Sequence, residues 1–302
     1  MSNKLSILIL SSNTYPSVRN SKIQKKIFYN QKNGTKEIYW YKQGAEEILK
    51  GKNAQLVNKD LFINADDSSI GMGYKTIMAF EWLLENSDFE YLFRTNTSSY
   101  VSIDNLKKFI KNNYNDVEYL YSGLVHSTND KNKKKIDFAS GSGYLLNRNA
   151  VELIVREQED WDHDYWDDVS LGLLMRKNKI LPLPGYRFDI KGNVFKQELD
   201  LESYHFRCRI DNHYKYPRFL EKFVLKHIAS MYSNNSSRSN FKTVKSFIFE
   251  VSRVLYIQQF GWKVFMTTRR LLRKVLPPFI YLRIKQLLSR NITNFKLKRF
   301  KT

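Results

Sequence analysis

The six positions Leu5–Leu10 read L-S-I-L-I-L, apolar on both faces of an extended chain, which is the pattern of a strand buried inside a parallel sheet. The run stops at a polar loop, Ser11-Ser12-Asn13-Thr14-Tyr15-Pro16-Ser17, where a proline closes off any continuing strand. The same alternation of elements continues along the chain. Ser21–Gln31 reads as a basic helix, Glu37–Tyr41 and Leu61–Asn64 as strands, and Gly73–Asn86 as a helix with an apolar face that includes Tyr74, Ile77, Met78 and Leu84. Tyr91-Leu92-Phe93 then forms a short apolar run that ends at Arg94. Five small polar residues, Thr95-Asn96-Thr97-Ser98-Ser99, separate it from Tyr100 and Val101. A helix over Asp104–Asn112, with Asp104 as its cap, and a strand over Tyr119–Ser122 follow. Strands alternating with helices predict an α/β fold with a mostly parallel central sheet flanked by helices. Ligands in such folds bind beyond the carboxyl ends of the strands. Ser11 and Asn13 after the first strand, and the loop from Arg94, are therefore candidate binding loops, although loops of this composition also serve as plain connectors.

Between His126 and Lys135 the chain is polar and lysine-rich, and reads as a solvated mobile loop. Ser140-Gly141-Ser142-Gly143 comes next, where glycines allow close approach of backbone to a ligand or another strand; it lacks the lysine and spacing of a phosphate-binding P-loop. A helix over Asn149–Gln158 leads to Glu159-Asp160-Trp161-Asp162-His163-Asp164-Tyr165-Trp166-Asp167-Asp168, with six acids in ten positions, ahead of a helix over Val169–Lys177. Acids at a helix start complement the macrodipole. Acids mixed with Trp161 and Trp166 also suit a sugar cleft, where carboxylates bind hydroxyls and pyranose faces lie on aromatic rings. Asp66-Asp67-Ser68-Ser69 reads as loop and helix-start chemistry rather than a metal site. Ser203–Arg209 alternates, so that His205, Arg207 and Arg209 share one face of an extended segment, a strip suited to an anion.

Composition sharpens this in two places. The single cysteine, Cys208, excludes an internal disulfide framework and a cysteine-based zinc site, and reads as a packed thiol. The net charge of +20 is unevenly spread: from Phe241 onward 15 Lys and Arg face one acid, Glu250. The chain therefore divides into a body, 1–235, and a basic, amphipathic, helical C-terminal extension, 236–302, suited either to an anionic membrane surface or to packing on the body. The first apolar run is six residues long, which predicts neither a signal peptide nor a membrane span.

Four stretches, in order, resemble the fringe-like, β-1,3-galactosyltransferase-type glycosyltransferases of the GT-A fold, especially their bacterial relatives. They are Asp66-Asp67 through Lys75-Thr76 with Trp82 following, Thr95-Asn96-Thr97 through Val101, Ser140–Tyr144, and Asp167-Asp168-Val169 through Gly172. The resemblance covers roughly residues 5–210. It implies that Asp168 is the catalytic base of an inverting transfer, with Asp167 beside it, and that Lys75 and the Thr95–Thr97 turn lie at the donor. It also implies a late histidine, His205 or in reserve His213, as a metal ligand. The family's metal-binding Asp-x-Asp is here Thr95-Asn96-Thr97, which carries no carboxylate. A divalent cation (Mn2+ or Mg2+) is then held weakly or not required, with Arg94, Arg207 and Arg209 meeting the donor diphosphate instead.

The implied protein is a glycosyltransferase that moves a hexose or N-acetylhexosamine from a nucleotide sugar, a UDP-sugar by analogy, to a glycan or lipid-linked glycan in surface-polysaccharide synthesis (lipopolysaccharide or capsule). Its implied place is the cytoplasmic face of a bacterial membrane, as a peripheral protein. Two other readings stand beside it: a catalytically silent glycan- or nucleotide-binding subunit, and a nucleic-acid-binding protein acting through the basic tail. No recognised nucleic-acid motif accompanies that tail.

Overall fold

A computed structural model describes residues 4–31, 37–114, 116–190, 197–209, 218 and 221–232. The expected basic helical extension at 236–302 and the reserve residue His213 lie outside the described residues.

In chain order the elements are β1 (Leu5–Leu10), α1 (Ser17–Tyr29), β2 (Ile38–Gln43), α2 (Glu46–Leu49), β3 (Ala54–Val57), β4 (Asp60–Ile63), α3 (Ser69–Asn86), β5 (Tyr91–Asn96), β6 (Ser99–Val101) and α4 (Ile103–Asn113). Then follow β7 (Tyr121–Asn129), β8 (Lys135–Asn147), α5 (Arg148–Arg156), α6 (Asp167–Lys177), β9 (Leu183–Pro184), β10 (Phe188–Asp189), β11 (His205–Arg207) and α7 (Glu221–Tyr232). Eight strands form the main sheet in the order β3-β4-β2-β1-β5-β8-β7-β9, and β10-β11-β6 form a second, three-stranded sheet.

The expected α/β architecture holds, with one qualification. β4, β2, β1 and β5 run parallel, but β8 pairs antiparallel with both β5 and β7. The lysine-rich stretch expected to be a mobile loop belongs to this antiparallel half: β7 and β8 form a hairpin, with Ser127 opposite Asp137 and Asn129 opposite Lys135. Its turn is fixed by Asp130 Oδ1, which accepts from the Asn132 and Lys134 N–H groups at 2.8 Å each. Lys133 supplies the positive φ of 61°. In the outer half of the hairpin β7 is exposed from His126 to Asn129, and of the facing residues Lys135–Phe138 only Ile136 is buried, so the sequence carries too little apolar alternation to reveal it.

Both faces of the parallel half are buried, as the sequence of β1 requires. Leu8 packs with Ile77, Phe80 and Leu83 of α3 on one face, while Leu5, Ile7 and Ile9 pack with Leu106 and Ile110 of α4 on the other. Helices α3, α5 and α6 cover the first face, and α4 and Phe28 of α1 contribute to the second. A third apolar cluster joins Tyr100, Phe206 and Cys208 to Val224, Leu225 and Ile228 of α7. Several helix starts lie earlier than the sequence pattern marks. Ser68 caps α3 by accepting from the Gly71 N–H at 2.9 Å, so the helix begins inside the polar stretch and Asp66-Asp67 precede it.

Chain order and sheet order diverge at β1. The connection through α1 leads to β2 on one side, whereas β5, reached through α3, pairs on the other. This reversal leaves a crevice beyond the carboxyl ends of β1 and β5, the place where open α/β sheets bind ligands.

Candidate active site

A cleft of about 470 Å³ lies at that crevice. Ser11 and Ser12 after β1, Asn96, Thr97 and Ser98 after β5, Asp67 and Lys75 at the start of α3, and Ser140, Ser142 and Asp168 all line it. Arg207, Arg209 and Arg218 complete the wall. The two loops singled out from hydropathy therefore meet here, together with the glycine loop and the acidic helix start. Asn13 stands at the edge: its N–H lies 3.4 Å from Asp67 Oδ2, and its side chain donates to the Gln43 carbonyl.

In the turn between β5 and β6, where the resemblance leads one to expect a carboxylate motif, the side chains are engaged within the protein. Thr95 Oγ1 donates to the Ser142 carbonyl at 2.6 Å. Asn96 Oδ1 accepts from the Ser98 N–H at 2.9 Å, and Thr97 Oγ1 lies 3.1 Å from Ser17 Oγ. Gln24 of α1 donates to both the Asn96 and Ser99 carbonyls, bridging the two ends of the turn. These contacts give the turn a fixed shape. Thr95 is fully buried and does not line the cleft, whereas Asn96 and Thr97 do.

The acidic pair at the start of α6 is divided between two environments. Asp167 is buried and bound to Arg94, whose guanidinium also donates to the Gly141 carbonyl and, at 2.8 Å, to Tyr41 Oη. Burial works against the charge of Arg94, but Asp167, Tyr41 and Tyr144 outweigh it and hold the guanidinium proton more tightly than usual. Arg94 is 1% exposed and does not line the cleft, so the expected contact with a donor diphosphate is replaced by an internal tie between β5, the glycine loop and α6. Asp168 turns the other way and lines the cleft. Its Oδ2 accepts from the Gly141 N–H at 2.7 Å and its Oδ1 from the Val169 N–H at 3.0 Å. Desolvation, then the neighbouring Asp167, raise its pKa against the opposing pull of those N–H groups and Arg94.

Glycines 141 and 143 are needed for close packing. A Cβ on Gly141 would stand 3.0 Å from Asp168 Oδ2, and one on Gly143 would meet the His205 ring, 2.7 Å from Nδ1. Ser140 and Ser142 reach the cleft and are held from behind by Arg187, which donates to both hydroxyls and forms a two-nitrogen pair with Asp189 at 2.6 and 2.9 Å. The two tryptophans expected at a sugar separate. Trp161 is buried in the core beside Gly73 and is unable to stack on a ligand, whereas Trp166 is 61% exposed immediately before α6.

His205 is 1% exposed, with Nε2 3.1 Å from Ser99 Oγ. Burial, then Arg187 and Arg207, lower its pKa to about 3, so it is neutral at physiological pH. A neutral imidazole suits a metal, but among the described residues no carboxylate or second histidine is found beside it to complete a metal site. Among the described residues no group of three or more His, Cys, Asp or Glu stands together. Of the two carboxylates at the cleft, Asp67 is paired with the buried Lys75 and Asp168 accepts two backbone N–H groups. The described donor set therefore does not fit a carboxylate-held divalent cation. It is instead rich in positive charge, from Lys75, Arg207, Arg209 and Arg218.

Arg187, Arg218 and Glu221 escape a reading of the sequence. Each lies outside any motif, and each takes its meaning from a distant partner: Ser140 and Ser142 for Arg187, and Ser98 for the other two.

Residues 57–183 match the model of the Galactosyltransferase family, a span from β3 to β9 that includes Asp67, Lys75, Asn96, Ser140–Gly143 and Asp168. The resemblance to β-1,3-galactosyltransferase-type proteins is borne out over that span, and the match supports glycosyl transfer as the class of activity. Among solved structures the chain is similar to a glycosyltransferase involved in glycosylation of the major capsid of PBCV-1 (10% identity, 72% of this chain and 97% of that one, TM-score 0.42). It is also similar to the galactosyltransferase LgtC in complex with donor and acceptor sugar analogs (12% identity, 61% and 75%, TM-score 0.36). A third is CMP:2-keto-3-deoxy-manno-octonic acid synthetase complexed with CTP (9% identity, 60% and 90%, TM-score 0.37). No curated protein sequence matches the chain.

Proposed function

We propose that this chain, with its Galactosyltransferase-family segment at residues 57–183, transfers a hexose or N-acetylhexosamine from a nucleotide sugar to a glycan hydroxyl with inversion. A UDP-sugar is the first donor to test. The observation that carries the reading is Asp168, a desolvated carboxylate in the cleft, aimed by two backbone N–H groups and facing the same space as Arg207 and Arg209. In the reaction its carboxylate takes the proton of the acceptor hydroxyl as that oxygen bonds to the anomeric carbon. The anomeric C–O bond to the diphosphate breaks on the opposite face, and the nucleoside diphosphate leaves with the electron pair. Lys75, Arg207 and Arg209 meet the growing charge on the leaving group, in the place where a cation held by Asp-x-Asp would act. Asp167, through Arg94, fixes the helix start that presents Asp168.

Residues 1–235 form the transferase domain in this reading. The extension 236–302 rests on the anionic cytoplasmic face of a bacterial membrane, where a lipid-linked glycan acceptor for a surface polysaccharide would be presented. Support for that part comes from the charge distribution of the sequence. Among the described residues no helix is long and apolar enough to cross a membrane.

Thermal shift against a panel of UDP-, GDP- and CMP-sugars, with manganese and with EDTA, tests the donor reading. A UDP-sugar is expected to raise Tm in EDTA. Stabilisation by no member of the panel contradicts the donor assignment, and stabilisation only with manganese contradicts the side-chain cations. Co-sedimentation with anionic vesicles should disappear when 236–302 are removed; undiminished binding of the shortened chain contradicts the membrane assignment.

A further inference from the structure

Glu221, the first residue of α7, is 1% exposed, an acid in the interior. Its Oε2 accepts from Asn20 Nδ2 of α1 at 2.6 Å and from Ser98 Oγ at 2.8 Å. Its Oε1 accepts from Arg218 Nε at 2.7 Å, and Arg218 Nη2 lies 3.4 Å from Oε2. Arg218 Nη2 also donates to Ser98 Oγ at 3.1 Å. One edge of the guanidinium is thus clamped by a buried carboxylate and a hydroxyl, while Nη1 has no hydrogen bond to a described residue. The pair is lopsided: the Glu221 side chain is 2% exposed and that of Arg218 39%, on the wall of the cleft. The carboxylate takes the desolvation cost of the pair while the cation stays within reach of the cleft. A buried acid holding an arginine at the lip of a cleft preorganises a cation for an incoming anion, since the planar fork loses little freedom on binding. Ser98 ties this cation to the turn at Asn96–Ser99, which holds no carboxylate.

We propose that Arg218 binds a phosphate oxygen of the donor diphosphate, and that Glu221 is a positioning residue that aims it. This rests on the nucleotide-sugar reading above. Arg218 supplies a positive charge from the C-terminal side of the chain, opposite Lys75 on the N-terminal side. The residue adds no covalent step; it neutralises charge before and during departure of the diphosphate.

Calorimetric titration in EDTA of UDP, GDP, inorganic pyrophosphate and uridine into the wild-type chain, Arg218→Ala, Arg218→Lys and Glu221→Gln tests the assignment. Arg218→Ala is expected to weaken the preferred nucleoside diphosphate and pyrophosphate tenfold or more and to leave uridine unchanged. Arg218→Lys should recover part of the loss. Glu221→Gln should weaken the diphosphates with uridine unchanged, a split that a merely structural residue would not give. Equal diphosphate affinity in wild type and Arg218→Ala overturns the proposal, as does a loss that extends equally to uridine. Should Glu221→Gln fail to fold, the two Arg218 variants decide the phosphate contact, because that side chain lies partly in solvent. A wild-type chain that binds none of the probes overturns the nucleotide reading itself, and Arg218's role with it. Binding by wild type that is indifferent to Arg218 overturns only the inference made here.

Discussion

Asp167 is bound to the buried guanidinium of Arg94, so that of two adjacent carboxylates only Asp168 faces the cleft. Two residues that are neighbours in sequence thereby receive opposite duties. One ties the start of α6 to Arg94 inside the fold, and the other keeps a carboxylate on the wall of the cleft.

The Arg94–Asp167 tie should be costly to halve. Arg94→Met leaves a buried carboxylate without its cation, and loss of one partner of such a pair costs about 3–5 kcal/mol. Urea unfolding is expected to show a loss of that size. A double change, Arg94→Met with Asp167→Leu, should recover part of it, because two apolar groups leave no charge stranded. A single variant within about 0.5 kcal/mol of wild type, the range of ordinary surface changes, contradicts the tie.

Asp168 makes opposite contributions to stability and to turnover. Its folded pKa is raised, first by desolvation, so the folded chain binds its proton more readily than the unfolded chain. Stability from this group is present below the unfolded value and is lost as pH rises through the folded one. The stability of Asp168→Asn relative to wild type should therefore improve as pH rises from about 4 to 7. In wild type, kcat/KM should fall on the acid side with a midpoint above the ordinary carboxylate value of about 4. A stability difference independent of pH would contradict the burial argument.

His205 predicts acid sensitivity of the fold. Its folded pKa is about 3 against 6.5 for a free imidazole, so the unfolded chain takes up a proton first as pH falls between those values. Stability is lost over that window with a limiting slope of about 1.4 kcal/mol per pH unit. His205→Asn removes this titration, and urea unfolding at pH 6 and pH 4 should show a shallower decline than in wild type. Equal declines in the two proteins would mean that His205 is not the buried neutral group described.

Apolar runs on strands buried on both faces made the parallel half of the sheet readable in advance, and β1 and β5 stand where L-S-I-L-I-L and Y-L-F place them. The hairpin of β7 and β8 was not readable, because β7 is solvated from His126 to Asn129 and the outer half is held by cross-strand pairing and an aspartate turn. Within the site, Ser11, Asn96, Asp168 and Arg207 could be found because each follows a local signal at a strand end or helix start. Arg94 gives the same local signal as a ligand-binding arginine, and only the position of Asp167, 73 residues away, reveals an internal partner. Trp161 likewise reads as a stacking platform until α3 is seen packed against it at Gly73. Glu221 gives no local signal, because its partners Asn20 and Ser98 lie 201 and 123 residues away.

The most direct test of the account is the release of nucleoside diphosphate from the preferred nucleotide sugar, with acceptor glycan and EDTA present, by wild type and Asp168→Asn. The account predicts turnover by wild type in EDTA and a loss of roughly a hundredfold or more in the variant, the size of a removed general base, with donor affinity retained. Turnover by Asp168→Asn near the wild-type rate would contradict it.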